Sequence, residues 1–200
     1  MFNLNNIKKD LLIEKTLRGQ EMKFYSTWGL FSPEKIDEGS ELLINNIKVD
    51  ESINILDLGC GYGAVGLTLA KSAPKSNVHL IDKDFVAVEY TKKNIKLNNL
   101  LNCQVYLSNG FDQIENKFDI IVSNIPAKVS KELFWIWFQE AKEHLSQNGS
   151  FYVVAVSGLK DFLKRNLTMV FGNCEKLAQS KTYSVFRSKM TTDYGLQTTD

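Results

Sequence analysis

The 200-residue sequence has few of the residues that build metal centres, disulfide frameworks and histidine-based catalytic sites. Its three cysteines, Cys60, Cys103 and Cys174, are widely spaced and form no C-x-x-C pair, so neither a zinc site nor a disulfide framework is predicted. Only two histidines are present, His79 and His144, which removes most catalytic triads from consideration. We therefore expect chemistry that needs neither a metal ion nor a strong side-chain base.

Long apolar runs and an excess of charge are also missing. No run approaches the roughly 18 apolar residues of a membrane-spanning helix, and the first residues lack the pattern of a signal peptide. The net charge is +1, so any attraction to nucleic acid must come from a local patch. The length predicts one domain, and 44% hydrophobic residues are ordinary for a globular chain. We expect a cytoplasmic protein without membrane contact and leave its oligomeric state open.

The most informative stretch is a short apolar run that is followed by closely spaced glycines. Ile53–Leu58 predicts a buried parallel strand, and an apolar helix begins at Ala64. Between them, glycines occupy every second position: Gly59, Gly61 and Gly63. Glycine allows positive φ and lets a ligand lie against the main chain, while the helix N-terminus directs free N–H groups toward it. The stretch predicts a binding turn for an adenosine-containing cofactor, with a purely structural turn as the alternative.

Two acidic residues bear on which cofactor is bound. Gly61–Gly66 satisfies G-x-G-x-x-G, a weak indication of a dinucleotide site. However, Asp57 lies two residues before the first glycine, where a carboxylate would repel a pyrophosphate but suit a cationic or zwitterionic ligand. Asp82 lies 21 positions after Gly61 at the end of a second predicted strand, close to the ~20 typical of a ribose-binding carboxylate. Its alternative role is the N-cap of the next helix, which Asp84 could supply instead.

A second informative stretch ends another predicted strand, Ile120–Val122. Asn124, Ile125 and Pro126 follow it, and proline both stops a central strand and holds the preceding residue extended. The Asn124 side-chain oxygen and the Ile125 main-chain oxygen could then accept both N–H groups of an exocyclic amine and turn its lone pair toward a methyl donor. Alignment of two reactants can lower a barrier by up to ~10 kcal/mol. A strand-ending turn without chemistry is the alternative.

Both stretches resemble motifs of one enzyme class. Asp57–Gly63 resembles the D-x-G-x-G-x-G signature of class I S-adenosylmethionine-dependent methyltransferases. Asn124–Pro126 resembles the N-[PLI]-P-[YF] motif of methyltransferases that act on amino or amide nitrogens. With Gly29–Ser40 before the glycines, residues 26–190 resemble the small-domain family that includes the 16S ribosomal RNA guanine-N2 methyltransferases. The chain departs from it at Ile125, usually proline, and at Ala127, where an aromatic ring normally stacks on the target base.

The resemblance implies an α/β, Rossmann-like class I methyltransferase sheet, mostly parallel with a C-terminal antiparallel hairpin. It implies S-adenosylmethionine as cofactor, no metal, and methylation of guanine N2 in ribosomal RNA or the small ribosomal subunit. The implied catalytic residues are Asn124, Ile125 and Pro126. The implied cofactor-binding residues are Phe31, Asp57, Gly59, Cys60, Gly61, Gly63, Asp82, Lys83, Asn109, Gly110 and Asn124. Methylation of a protein glutamine amide, or cofactor binding without catalysis, remains an alternative, and a nicotinamide oxidoreductase is the least favoured.

The remaining expectations concern organisation and accessory side chains. Residues 1–25 are predicted to form an N-terminal extension with an amphipathic helix, residues 26–190 the domain, and residues 191–200 a disordered polar tail. Further helices are predicted to begin between residues 37 and 40 and to span residues 130–147, and a hairpin is predicted over residues 175–187. The accessory candidates are Phe111 beside the adenine, Phe134 or Trp135 as a substitute stacking ring, and Arg18, Lys23, Lys128 and Lys131 as phosphate contacts.

Overall fold

A computed structural model describes residues 9–126 and 129–190. Seven strands form one sheet in the order β5-β4-β3-β6-β7-β9-β8, and β1 and β2 form a separate two-stranded sheet. The strands are β1 Leu11–Leu17, β2 Gln20–Ser26, β3 Asn54–Leu58, β4 Asn77–Asp82, β5 Cys103–Leu107, β6 Phe118–Asn124, β7 Leu145–Val156, β8 Glu175–Gln179 and β9 Tyr183–Lys189. The helices are α1 Glu38–Asn46, α2 Ala64–Ser72, α3 Phe85–Leu97, α4 Lys131–His144 and α5 Lys160–Phe171.

The central sheet is parallel from β5 to β7, and β9 runs antiparallel to both β7 and β8. This arrangement confirms the predicted mostly parallel sheet with a C-terminal antiparallel hairpin. Parallel strands that are covered on both faces need apolar side chains on both faces, which explains their unbroken apolar runs. Ile120 and Val122 of β6 face one hydrophobic cluster, and Ile121 between them faces the other.

Helices cover each face of the sheet. Side chains of α1, α2 and α3 join one cluster, for example Leu43, Leu67 and Ala87. Side chains of α4 and α5 join the other cluster, for example Phe138 and Leu167. In such an open α/β sheet the carboxyl ends of the parallel strands are left accessible, and ligands bind there.

The predicted N-terminal helix is wrong, because residues 11–26 form a β-hairpin. Leu17 pairs with Gln20, and Arg18 and Gly19 make a two-residue turn with φ values of 50° and 74°. Such turns require positive φ at both positions and match the twist of the paired strands. Within β2, Met22, Phe24 and Ser26 are buried at every second position, which is the strand period rather than the helical one.

Asparagines of α3 hold this hairpin against the domain. Asn94 is fully buried; its side-chain oxygen accepts from the Tyr25 main-chain nitrogen at 2.7 Å. Its amide nitrogen donates to the main-chain oxygens of Tyr25 at 2.9 Å and Tyr62 at 2.8 Å. Asn98, one turn further along and half-buried, makes the corresponding pair with the main chain of Lys23. The N-terminal hairpin is therefore tied to the loop that carries the glycines.

Smaller differences concern helix ends. α4 ends at His144 rather than at residue 147, because Leu145 already pairs with Phe118 at the start of β7. The predicted helix start between residues 37 and 40 is confirmed, with Asp37 as the N-cap of α1. Asp84 caps α3 as predicted, accepting from the Val86 main-chain nitrogen at 2.8 Å. The predicted polar tail at residues 191–200 lies outside the described residues, as do Ala127 and Lys128.

We expect Asn94→Ala to lower the free energy of unfolding by about 3 kcal/mol, because one buried and two partly buried main-chain groups lose their partner. The matched variant Asn98→Ala removes the same chemistry at a half-exposed position and should cost about 1 kcal/mol. Urea denaturation measures both. Equal losses for the two variants would contradict the assignment of Asn94 as the buried anchor.

Candidate functional site

A cavity of about 550 Å³ lies at the carboxyl ends of β3, β4, β5 and β6. This volume is in the range of ordinary small-molecule sites, roughly 300–1,000 Å³. The predicted site residues that line it are Phe31, Asp57, Gly59, Cys60, Gly61, Asp82, Lys83, Asn109, Gly110, Asn124, Ile125 and Pro126. The structure thus brings together, around one cavity, twelve of the thirteen different residues selected from the sequence, and only Gly63 is not part of the lining.

The three glycines between β3 and α2 all have left-handed backbone angles, with φ values of 75°, 57° and 93° for Gly59, Gly61 and Gly63. At Gly61 nothing lies within 4 Å of an added Cβ, so main chain faces open space. Gly63 is the N-cap of α2, and a Cβ there would lie 2.8 Å from a Leu67 methyl group. Gly61 therefore exposes backbone to the cavity, whereas Gly63 is required by packing behind it.

Two carboxylates hold the glycine turn. Asp82 accepts from the Gly61 main-chain nitrogen and from the Asp84 main-chain nitrogen, each at 2.9 Å. Asp57 accepts from the Gly66 main-chain nitrogen at 2.7 Å. A Cβ at Gly66 would lie 2.9 Å from the same Asp57 oxygen, so only glycine permits this approach. Because an ionised carboxylate has about four lone-pair positions, Asp82 can still accept hydrogen bonds from a ligand.

Asp57 has an unusual protonation equilibrium. Burial raises its pKa to about 7, opposed by the Gly66 hydrogen bond and reinforced by the nearby negative charge of Asp82. The side chain is only 2% exposed, yet it borders the cavity. A cationic group beside Asp57 would stabilise its ionised form. The raised pKa is therefore consistent with the cationic or zwitterionic ligand predicted from the sequence.

The main-chain and side-chain acceptors predicted at the end of β6 are held in place. The Asn124 amide nitrogen donates to Asp37 Oδ2 at 3.0 Å and to Ser40 Oγ at 2.9 Å. The Ile125 nitrogen donates to the Val154 oxygen at 2.9 Å, which extends the β6–β7 pairing by one residue. Among residues 9–126 and 129–190, no donor pairs with the Asn124 side-chain oxygen or the Ile125 main-chain oxygen. As far as the described residues go, both acceptors are open to a ligand.

Three of the residues around Asn124 were missed from the sequence. Asp37 is the N-cap of α1, Ser40 lies in the first turn of that helix, and Tyr183 begins β9, 59 positions after Asn124 in the chain. The Tyr183 hydroxyl donates to Asp37 Oδ1 at 2.8 Å. Burial, reinforced by that hydrogen bond to Asp37, raises the pKa of Tyr183 to about 12, so the hydroxyl keeps its proton. Asp37 and Ser40 could have been suspected from the family resemblance of their segment, but nothing in the sequence links Tyr183 to Asn124.

The segment before α1 borders the cavity. Gly29, Leu30 and Phe31 line it, and the Phe31 ring is 65% exposed. The Tyr62 hydroxyl, from the glycine turn, lies 3.3 Å from the Lys35 main-chain oxygen and 3.4 Å from that of Ser32. The segment is thereby attached to the glycine turn while Phe31 stays exposed at the entrance.

The loop after β5 forms another wall. Asn109 and Gly110 line it, and Trp137 of α4 approaches within 3.2 Å of where a Gly110 Cβ would be. Trp137 packs against the hydrophobic cluster on its side of the sheet and also lines the cavity. The placement of Phe111 beside a cofactor ring is not supported, because Phe111 is buried and stacks on His144 with ring centroids 4.9 Å apart.

The substitute stacking rings lie elsewhere. Phe134 is 2% exposed and belongs to the aromatic core, and Trp135 is 37% exposed and does not line the cavity.

Two of the predicted phosphate contacts have partners within the protein. Arg18 donates to the Ile44 and Ile47 main-chain oxygens at the end of α1, and Lys23 pairs with Glu14. Lys131 is exposed at the first residue of α4, which leaves its charge available.

The Cys60 thiol, which lines the cavity, is not a reactive group. Burial raises the pKa of the Cys60 thiol well above its usual value, so it stays protonated and unreactive.

Within the described part of the chain, no group of three or more potential metal ligands comes together. No helix in those residues is long and apolar enough to cross a membrane.

Comparison with known proteins agrees with this geometry. The sequence model of the family described as "Methyltransferase small domain" matches residues 21–187. The chain belongs to this family. The uncharacterized protein YbxB of Bacillus subtilis (strain 168) is 31% identical over 178 residues, covering 86% of this chain and 88% of that protein. The predicted family is therefore confirmed.

Two further relatives carry functional names. "Ribosomal RNA small subunit methyltransferase C" of Haemophilus influenzae (strain PittGG) is 34% identical over 178 residues, covering 85% of this chain and 52% of that protein. The structure of the 16S rRNA N2 methyltransferase of T. thermophilus, in complex with AdoMet and guanosine, matches with a TM-score of 0.82 and 27% identity. It covers 90% of this chain and 50% of that one, so this small-domain protein spans about half the length of both.

We expect Asp57→Asn to raise the free energy of unfolding at pH 8 by up to about 4 kcal/mol and to have little effect near pH 4. The folded chain keeps the Asp57 proton up to about pH 7, whereas the unfolded chain releases it near pH 4. The folded state therefore binds more protons between these values, and wild-type stability falls as the pH rises through them. Asparagine stays neutral and can still accept from Gly66.

Chemical denaturation of both proteins at several pH values between 4 and 8 measures this difference. Asn116→Asp, at an exposed position near the start of β6, is a control for a carboxylate with an ordinary pKa. A stability difference that does not change with pH would contradict the raised pKa.

Proposed function

We propose that this protein is an S-adenosylmethionine-dependent N-methyltransferase that acts on an exocyclic amine, guanine N2, of ribosomal RNA. One observation carries the proposal. The Asn124 amide is held by Asp37 and Ser40 with its oxygen available, in the same cavity as the exposed backbone of the glycine turn. A cofactor on the turn and an amine on Asn124 would share one enclosed space.

The residues around the cavity fit S-adenosylmethionine. Exposed main chain at Gly61 and the N-terminus of α2 suit a polar ligand that lies close to the backbone. Asp82, at the end of β4, suits the ribose hydroxyls. Asp57, whose pKa is about 7, suits the cationic methionine end. When bound, this cofactor supplies a methyl group on a positively charged sulfur.

The residues at the end of β6 suit an amine acceptor. An exocyclic amine delocalises its lone pair into the ring and is a poor nucleophile until it is oriented. The Asn124 side-chain oxygen and the Ile125 main-chain oxygen can each accept one of its two N–H groups. This orientation needs no strong base, which is consistent with the scarcity of histidine.

The named relatives favour guanine in ribosomal RNA as the acceptor. A base within a helix must be flipped out or presented in a loop to enter such a cavity. The exposed Lys131, five positions after Pro126 in the sequence and at the first residue of α4, is the phosphate contact that we favour. Action on ribosomal RNA also implies a cytoplasmic protein.

We expect the protein to transfer tritium-labelled methyl groups from S-adenosylmethionine to unmodified ribosomal RNA or small subunits, but not to protein extract or small metabolites. Nucleoside digestion should recover the label as N2-methylguanosine. Label in protein would replace this proposal by glutamine-amide methylation. Cofactor binding without label in any pool would favour a non-catalytic module.

We expect Asn124→Ala to lower kcat by about 100-fold while cofactor affinity changes little, because a donor or acceptor that acts mainly in the transition state contributes about that much. The control is Asn116→Ala, the same substitution at an exposed position away from the cavity, which should retain wild-type kcat. Wild-type turnover by Asn124→Ala would refute the amine-orientation mechanism.

We expect Asp82→Ala to weaken S-adenosylmethionine binding at least about tenfold, the usual effect of losing a hydrogen bond to a charged group. Isothermal titration calorimetry on the wild type and the variant measures the change. Tight binding of NAD by the wild type would instead support the hypothesis that Gly61–Gly66 forms a dinucleotide site.

A further inference from the structure

We propose that Asp37 is a positioning residue that fixes which way the Asn124 amide faces, and that Tyr183 holds Asp37 for this purpose. This inference rests on the proposed amine-methylation function. It extends the reacting site from the Asn124–Pro126 motif to side chains from the start of α1 and from β9, the last strand along the chain.

The two ends of an asparagine amide have nearly the same shape but opposite hydrogen-bonding roles. If the Asn124 amide rotated by half a turn, its N–H groups would face the substrate, and an amine could no longer donate to it. A neighbouring group that only accepts hydrogen bonds prevents this rotation. An ionised carboxylate has that property, whereas a serine hydroxyl can either donate or accept.

Asp37 supplies the acceptor. Its Oδ2 atom lies 3.0 Å from the Asn124 amide nitrogen and also accepts from the Ser40 main-chain nitrogen at 3.1 Å. Ser40 Oγ, 2.9 Å from the same amide nitrogen, could pair with either orientation of the amide. The choice between the two orientations therefore depends on Asp37 rather than on Ser40.

Tyr183 fixes the other oxygen of the carboxylate. Its hydroxyl donates to Asp37 Oδ1 at 2.8 Å. The three contacts approach the carboxylate from α1, β6 and β9, so its plane cannot turn without breaking at least one of them. Gly39 permits this arrangement, because a Cβ there would lie 2.7 Å from the Tyr183 ring and 2.8 Å from Asp37 Oδ2.

Asp37 is also the N-cap of α1, and the test must separate capping from positioning. Asp37→Ser retains a good N-cap but supplies only one short hydroxyl, which can also donate. Asp37→Asn retains both the cap and an acceptor toward Asn124, with its own amide nitrogen facing the Tyr183 hydroxyl. The pair distinguishes loss of the acceptor from loss of the cap.

We expect Asp37→Ser to lower kcat about tenfold, with cofactor affinity and thermal stability close to wild type. Asp37→Asn should turn over at least about fivefold faster than Asp37→Ser, and Tyr183→Phe should lower kcat about threefold. In an Asn124→Ala background, Asp37→Ser should cause no further loss, since residues that act as one unit are non-additive. Wild-type kcat in Asp37→Ser, or a fully additive loss in the double variant, would overturn the inference.

A spectroscopic measurement is independent of turnover. In nitrogen-15 spectra of the wild type, the Asn124 side-chain amide signals, assigned as those missing in Asn124→Ala, should exchange slowly with water. They should lose this protection in Asp37→Ser but keep it in Asp37→Asn. Unprotected signals in the wild type would refute the positioning role even if methyl transfer is observed. Protected signals without methyl transfer would refute the proposed function alone.

Discussion

The structure depends on a pair of carboxylate-to-backbone contacts at the carboxyl ends of two adjacent parallel strands. Asp57 of β3 binds the Gly66 nitrogen in the first turn of α2, and Asp82 of β4 binds the Gly61 nitrogen in the middle of the glycine turn, so the turn and the helix after it are attached to the sheet. The left-handed turn would otherwise be a flexible segment, because glycine loses more conformational freedom on folding than any other residue. These contacts convert a permissive sequence into a rigid, exposed stretch of main chain beside which a ligand can bind.

At Asp57, the stability of the free protein and the binding of a ligand favour different things. Placing Asp57 where it holds Gly66 buries it and raises its pKa to about 7, which makes its ionised form unfavourable in the free protein. A ligand that brings positive charge into the cavity would relieve this cost, so folding alone is not what favours an acid at this position. Ionisable groups whose charged form is unfavourable in the free protein and is stabilised by the ligand are common in binding sites.

Much of the fold was predictable from local patterns, because the strands of a sheet covered on both faces are unbroken apolar runs that end in glycine, proline or an acid. The motifs at Asp57–Gly63 and Asn124–Pro126 were predictable for the same reason, since each lies within a few residues of a strand end. The N-terminal hairpin was not, because Leu11, Leu12 and Leu17 also fit a helical face, and only the Arg18–Gly19 turn and the alternation in β2 indicate strands. Phe111 was misplaced because the loop that carries it packs inward on His144.

The contacts that could not be predicted are those that join distant parts of the chain. Tyr183 and Asp37 are 146 positions apart and meet because β9 lies next to β7 in the sheet while α1 packs across the same strands. No local period encodes such a meeting. It nevertheless decides the direction of the Asn124 amide, and with it whether the cavity presents an acceptor or a donor to a substrate. The short motif at the end of β6 therefore specifies which groups are present, and the tertiary fold specifies how they face.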